Sequence, residues 1–389
     1  MPRSYSVGYL RAFVTVLVVL HHVVLGYHPF APAPGPSLTA EPRLWPIFPV
    51  SDPARTMAAG VLSGFFDIFF MSLMFLLSGV FVWHSLSRKG VGAFLRGRGV
   101  RLGVPFLMAP LLLAPLAYVP SYLQTTAPTH TAADFVHQWL SLDFLPAGPA
   151  WFLWVLLCFD VVAAALFVIA PRTGALLGRL AGAAGARPLR FFAVLVLLSA
   201  LGYVPMALAF TPMHWITIGP FAVQTSRVLH YFAYFVAGIG VGMAGLDFGL
   251  LDGAGRLARR WWIWLAAATV IYVIAAAAFL MSLSPEAPTL PWDVINAFGF
   301  VASCAATSMA LVGVFVRFAR PSRIFDGLSR NAYGIYVVHY IVVSWVQYAL
   351  LPAAWPGLVK VAVAFGGSLA ISWGLAVLLR RIPAVARVI

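Results

Sequence analysis

Apolar residues recur along this chain in runs of about twenty, separated by short stretches rich in Pro, Gly and Arg. A helix rising 1.5 Å per residue needs roughly 20 such residues to cross the ~30 Å hydrocarbon core of a bilayer. Runs of that kind lie near residues 9–27, 60–84, 103–123, 150–170, 191–210, 229–246, 262–281, 295–316, 332–351 and 358–379. The pattern predicts an all-α, polytopic bundle of about ten transmembrane helices. The connecting segments at 28–53 and 284–291 are rich in Pro. No period of 20–50 residues stands out, so no internal repeat is expected. The first run starts like a signal peptide, but Arg11, His21 and His22 interrupt its apolar centre, and it reads as a retained helix.

Composition sharpens the solvent assignment. Of 389 residues, 62% are hydrophobic and only 9% charged, whereas soluble domains carry roughly 25% charged residues. The net charge of +14 is almost all arginine, since Lys89 and Lys360 are the only lysines. Those arginines cluster between apolar runs rather than along one stripe, which argues for topology and against a nucleic-acid partner. Arg88, Lys89, Arg96, Arg98 and Arg101 fill the second loop, and the fourth, sixth and eighth loops and the tail are also basic. The alternate loops hold only Arg43, Arg55, Arg227 and Lys360. The positive-inside rule then puts both termini in the cytoplasm. Cys158 and Cys304 both fall inside apolar runs, giving neither a disulfide framework nor a metal-ligand spacing.

Ionisable residues inside spans are costly and usually face an interior cavity. Here they are Arg11 and His22 in the first run, Asp67 in the second, Asp160 in the fourth and His339 in the ninth, with His230 at the mouth of the sixth. Arg11 and His22 are eleven positions apart, which sets them within about 20° on one helix face and roughly 16 Å apart along the axis. Asp67 falls at a depth similar to His22, so a carboxylate–imidazole pair that orients a general base is expected. The plainer alternatives are an arginine snorkelling to the interface and a histidine and aspartate bonded to backbone or serine groups. Arg98 and Arg101, three apart, can project together towards an anion as phosphate-binding forks, or act as ordinary topology charges. The small pair Ser78-Gly79 suits close helix packing.

Five motifs in order across nearly the whole chain resemble the acyltransferase-3 family of integral membrane O-acyltransferases. They are Tyr9-Leu10-Arg11-Ala12 followed by His22; Gly64-Phe65-Phe66-Asp67 through Ser78-Gly79-Val80-Phe81; Arg98, Arg101 and Pro105; Pro149-Ala150-Trp151-Phe152-Leu153-Trp154; and Asn331-Ala332-Tyr333-Gly334-Ile335-Tyr336-Val337-Val338-His339. Gly219-Pro220-Phe221 with Gln224, Arg227 and 231–235 adds a likeness to the periplasmic-glucan succinyltransferase type, glucan biosynthesis protein C. The resemblance implies one transmembrane domain over 1–389, without an added extracytoplasmic domain, in a bacterial inner membrane. It implies acyl-CoA, of the acetyl or succinyl class, as a cytoplasmic donor substrate, with no permanently bound cofactor or metal. The acceptor would be an extracytoplasmic carbohydrate such as a glucan.

On that reading Arg98, Arg101 and Ser78 bind the donor, and Arg11 meets its charge or a developing oxyanion. His22, tuned by Asp67, acts as general base or carries the acyl group transiently. Trp151, Tyr333, Tyr336 and His339 line the passage or the acceptor site, although the tyrosines can equally be core packing. A competing reading is a transporter or flippase that uses the intramembrane His, Asp and Arg as a substrate or proton path.

Overall fold

The computed structural model describes residues 5–282 and 289–389, and its long helices follow the apolar runs one for one. They are α1 (Tyr5–Leu25), α2 (Met57–Gly79), α3 (Val91–Leu123), α4 (Trp151–Ile169), α5 (Pro188–Phe210), α6 (Val228–Ala244), α7 (Trp261–Ser282), α8 (Thr289–Phe318), α9 (Arg323–Ala349) and α10 (Gly357–Leu379). The protein is an all-α polytopic membrane bundle. The connecting segment expected at 284–291 lies largely outside the described residues.

Among the described residues, nine helical segments are long and apolar enough to cross a membrane, and α9 is the long helix that falls short. Its shortfall has a physical cause. His339, Ser344 and Gln347 lower its apolarity, yet all three are buried inside the bundle, where α9 packs against α1 and α10. A helix that carries the interior polar groups is less apolar than one that faces lipid on most sides.

α1 lies in the interior, against α2, α8, α9 and α10. α2 and α6 approach closely because neither has a side chain at the crossing. A Cβ at Gly79 would strike the Phe235 carbonyl, and one at Gly238 or Gly242 would strike the carbonyls of Leu76 or Val80. Gly238 and Gly242 are four apart, so they form one bare stripe on α6. Beyond this crossing, α2 bends at Val80–Phe81 and a further helix, Val82–Lys89, carries the chain to the basic loop.

α3 is not a regular helix. Two π turns, Gly99–Gly103 and Ala109–Leu113, interrupt it, with Pro105 and Pro110 within or beside them. Proline lacks the N–H of the helical ladder and its ring crowds the preceding turn, and an extra residue in the turn accommodates both effects. Between α5 and α6 a short hairpin, β1 (Trp215–Ile218) and β2 (Phe221–Gln224), turns at Gly219 and Pro220. Trp154 on α4 holds it by donating its indole N–H to the Ala222 carbonyl at 3.1 Å.

The loops at the His22 end of the bundle are tied down by charge. Lys360 and Asp52 form an ion pair at 2.7 Å with both side chains almost fully buried, which fastens the α1–α2 connection to α10. Nearer the surface, Arg43 joins Glu41 and Asp143, linking that connection to the one between α3 and α4.

Candidate functional site

The centre of the site is a pair of imidazoles. His22 lies one turn from the C-terminus of α1, and His339 lies in the middle of α9. Their ring centroids are 4.9 Å apart, and His339 Nε2 is 3.2 Å from His22 Nδ1. Each ring also meets a carbonyl of its own helix: His22 Nδ1 is 2.8 Å from Val18 O, and His339 Nδ1 is 2.6 Å from Tyr336 O.

These contacts assign the tautomers. A carbonyl can only accept, so both Nδ1 atoms carry hydrogen in the neutral rings. His339 Nε2 is then a lone pair, and the His22 Nδ1–H is shared between it and Val18 O. His22 Nε2 is left as a lone-pair nitrogen with no hydrogen-bond partner among the described residues. An imidazole with its Nδ1–H anchored and its Nε2 open is the arrangement a base requires.

The carboxylate expected beside His22 is elsewhere. Asp67 is gripped by both ends of the Arg227 guanidinium, at 2.9 and 2.6 Å, and its backbone carbonyl accepts a third bond at 3.2 Å. A guanidinium fork matches both carboxylate oxygens at once, which a single imidazole N–H cannot do. Asp67 acts electrostatically on His21, whose ring lies against Phe70. The His22–Asp67 pairing therefore gives way to His22–His339 and Asp67–Arg227. Arg227 stands in the turn of Thr225–Arg227 that opens α6, is 3% exposed and lies 4.9 Å over the Phe300 ring. His230, one turn further, bonds Ser72 Oγ at 3.0 Å.

At the opposite end of α1, Arg11 is half-buried, and its guanidinium has no ion-pair or hydrogen-bond partner among the described residues. The charges that act on it are Arg101 and Arg98, both positive. Arg98 is itself drawn to the fully buried Asp160 on α4, Nε to Oδ2 at 3.2 Å. Arg101 is exposed, with its guanidinium 5.6 Å over the Tyr333 ring. Three guanidinium groups with one carboxylate among them leave an excess of positive charge, as anion sites do. Ser78 does not join them, because its hydroxyl donates to Met74 O within α2 at 2.8 Å.

Between the arginine end and the imidazole pair runs a tyrosine ladder on α9. Tyr333, Tyr336 and Tyr340 are spaced three and four apart, so they share one face over about 10 Å of helix. Tyr333 donates its hydroxyl to Arg101 O and Tyr336 donates to Pro149 O. Tyr340 donates to Pro46 O at 3.2 Å, meets Tyr118 Oη at 3.1 Å, and lies edge-on to His22 with centroids 5.0 Å apart. Trp151 opens α4 and stacks on Tyr231 at 5.8 Å with Trp215 at its edge.

The sequence model of the acyltransferase-3 family, described as an acyltransferase domain, matches residues 4–377. The chain belongs to that family and is a membrane acyltransferase. No curated protein and no solved structure matches it significantly. Family membership places the chain among enzymes rather than among the transporters that intramembrane charges alone would also allow.

Proposed function

We propose that this acyltransferase takes an acyl group from acyl-CoA on the cytoplasmic side of a bacterial inner membrane. The group goes to a hydroxyl of an extracytoplasmic carbohydrate, such as a glucan. The observation that carries the reading is the anchored imidazole pair, which leaves His22 Nε2 as a base with no partner among the described residues. Arg11 and Arg101, with Arg98 balanced against Asp160, supply positive charge for the phosphates of the donor.

The chemistry then balances on one nitrogen. His22 Nε2 accepts the proton of the acceptor hydroxyl as that oxygen attacks the thioester carbonyl. The C–S bond breaks, and the leaving thiolate takes the proton back from His22, giving an ester and free CoA. While His22 is protonated its charge is shared towards Val18 O and the His339 lone pair, so two neutral acceptors do what a carboxylate would do elsewhere. Trp151 and Trp215 offer aromatic surface to a sugar ring at the acceptor end.

A His22→Ala variant is expected to lose at least a hundredfold in transfer from labelled acyl-CoA, in the range that removal of a positioned base costs. CoA binding should stay within about threefold of the parent. Transfer that persists in the inserted variant rules out His22 as the base. A covalent acyl-His22 trapped during turnover would move it from base to acyl carrier through the same nitrogen.

A further inference from the structure

We propose that the cavity between α3, the turn before α4 and α9 receives the acyl group of the donor, and that this group is an uncharged aliphatic chain. The inference rests on the donor reading above and goes on to name the class of acyl group. The cavity is a partly open cleft of about 410 Å³ that includes space open to its surroundings, with Pro105, Ala109 and Leu113 on one wall, Ala150 on a second, and Tyr336 and Tyr340 on the third.

Its position follows from the elements that frame it. The α3 wall starts one turn beyond Arg101, and the α9 wall is two rungs of the tyrosine ladder, on either side of His339 in sequence. Tyr333, bonded to Arg101 O, stacks on Tyr336 with ring planes 12° apart. Tyr340, at the other end, lies against His22. A thioester held by the arginines at its phosphate end meets this cavity on its way to the imidazole pair.

The cavity is written into the residue choice. The π turn at Ala109–Leu113 widens α3 where Pro110 cannot donate. On this inner side stand Ala109, Ala114, Ala147, Gly148 and Ala150, while Leu107, Met108, Leu111 and Leu112 face outwards and are exposed. Gly148 adopts φ +53°, and a Cβ there would come within 3.2 Å of the Tyr340 ring. Tyr336, through its hydroxyl on Pro149 O, fixes the third wall.

Among the described residues, the lining contains no Lys, Arg, His, Asp or Glu. A succinyl group would bring its free carboxylate into that apolar space with no cation to meet it, and an unpaired buried charge opposes binding. An unbranched uncharged chain meets no such penalty. A second cleft between α1, α2, α5, α6 and α8 is lined by aliphatic and aromatic residues with Ser6 and Ser308, and it borders none of Tyr333, Tyr336 and Tyr340.

The test is a set of affinities on the whole protein in lipid nanodiscs, with CoA, acetyl-CoA, butyryl-CoA and succinyl-CoA as probes. Each methylene that enters the cavity is expected to tighten binding about fourfold. Butyryl-CoA should therefore bind at least tenfold tighter than acetyl-CoA, and succinyl-CoA should bind no tighter than CoA. Ala109→Leu is expected to remove the butyryl gain, with the CoA titration reporting whether the variant is folded. Leu113→Ala, which widens the same wall, should extend the gain to a fifth probe, hexanoyl-CoA, added for this variant. If CoA binds but succinyl-CoA binds tightest, or both variants shift all esters equally, the pocket assignment is overturned while the donor reading stands. If none of the four binds, the donor reading fails and the pocket goes with it.

Discussion

His339 lies within hydrogen-bond reach of the His22 ring, and what that contact contributes to the proposed reaction can be measured. From the sequence it lines a passage; in the structure its Nε2 lone pair faces the His22 Nδ1–H. On the proposed mechanism it is a positioning residue, acting through His22 rather than on substrate. Gln and Met have similar volumes, but only Gln offers an oxygen that accepts from His22. His339→Gln should therefore retain a substantial part of kcat, whereas His339→Met should lose about tenfold to a hundredfold with the donor KM unchanged. Equal losses in both would mean that His339 only fills space. The Arg11–His22 face was legible because helical spacing fixes angle and rise along one element. The partner of His22 was not, because matching depth says nothing about which face of α2 meets α1. A signal for the Asp67 partner did exist. Arg227, counted as an outer-loop charge, and Asp67 are opposite charges near the same ends of their spans, and at that depth opposite charges seek each other.

At the scale of elements, the loops over the His22 end depend on pH through one arginine. Arg43 bonds Glu41 and Asp143, and its guanidinium holds both carboxyls below their ordinary range. A carboxyl depressed in the folded state contributes stability that is complete above its unfolded pKa of about 4 and is lost as pH falls through the lower folded value. Both acids are largely exposed, so the effect belongs to the loops and not to the bundle. Protection of the backbone amides in the α3–α4 connection, measured relative to the intrinsic exchange rate at each pH, is expected to be high at pH 7 and to fall below pH 4. Asp143→Asn should exchange faster at pH 7 and show a weaker change below pH 4. Protection that ignores both pH and the variant would mean that the apolar contacts of Trp45 and Trp139 hold the loops alone. The prolines at 105 and 110 were a visible sign that α3 is irregular, but their sequence does not say that two π turns would result. The β1–β2 hairpin was hidden inside a loop because four-residue strands carry too little periodicity to separate from turn chemistry.

For the whole molecule the consequential property is which end of the bundle faces the cytoplasm, because the proposed CoA donor would have to meet the arginine end from that side. The bundle itself was legible from apolar run length, since lipid leaves a helix little choice but to satisfy its own backbone. Sidedness rests on arginine placement, with the loops that hold Arg96, Arg98 and Arg101 far more basic than those on the His22 side. Gly90 and Thr129 are exposed positions in the two kinds of loop. In a background with Cys158 and Cys304 replaced by Ala, Thr129→Cys should react with a membrane-impermeant maleimide in spheroplasts with an intact inner membrane. Gly90→Cys should react only after that membrane is permeabilised. The reverse pattern would turn the bundle over and put Arg11, Arg98 and Arg101 on the side without CoA. The donor route would then have to begin at the His22 end, below the Arg43 loops, where the buried cations Lys360 and Arg227 are already paired with Asp52 and Asp67. No comparable excess of positive charge exists there among the described residues, so an inverted orientation and a CoA donor cannot both hold.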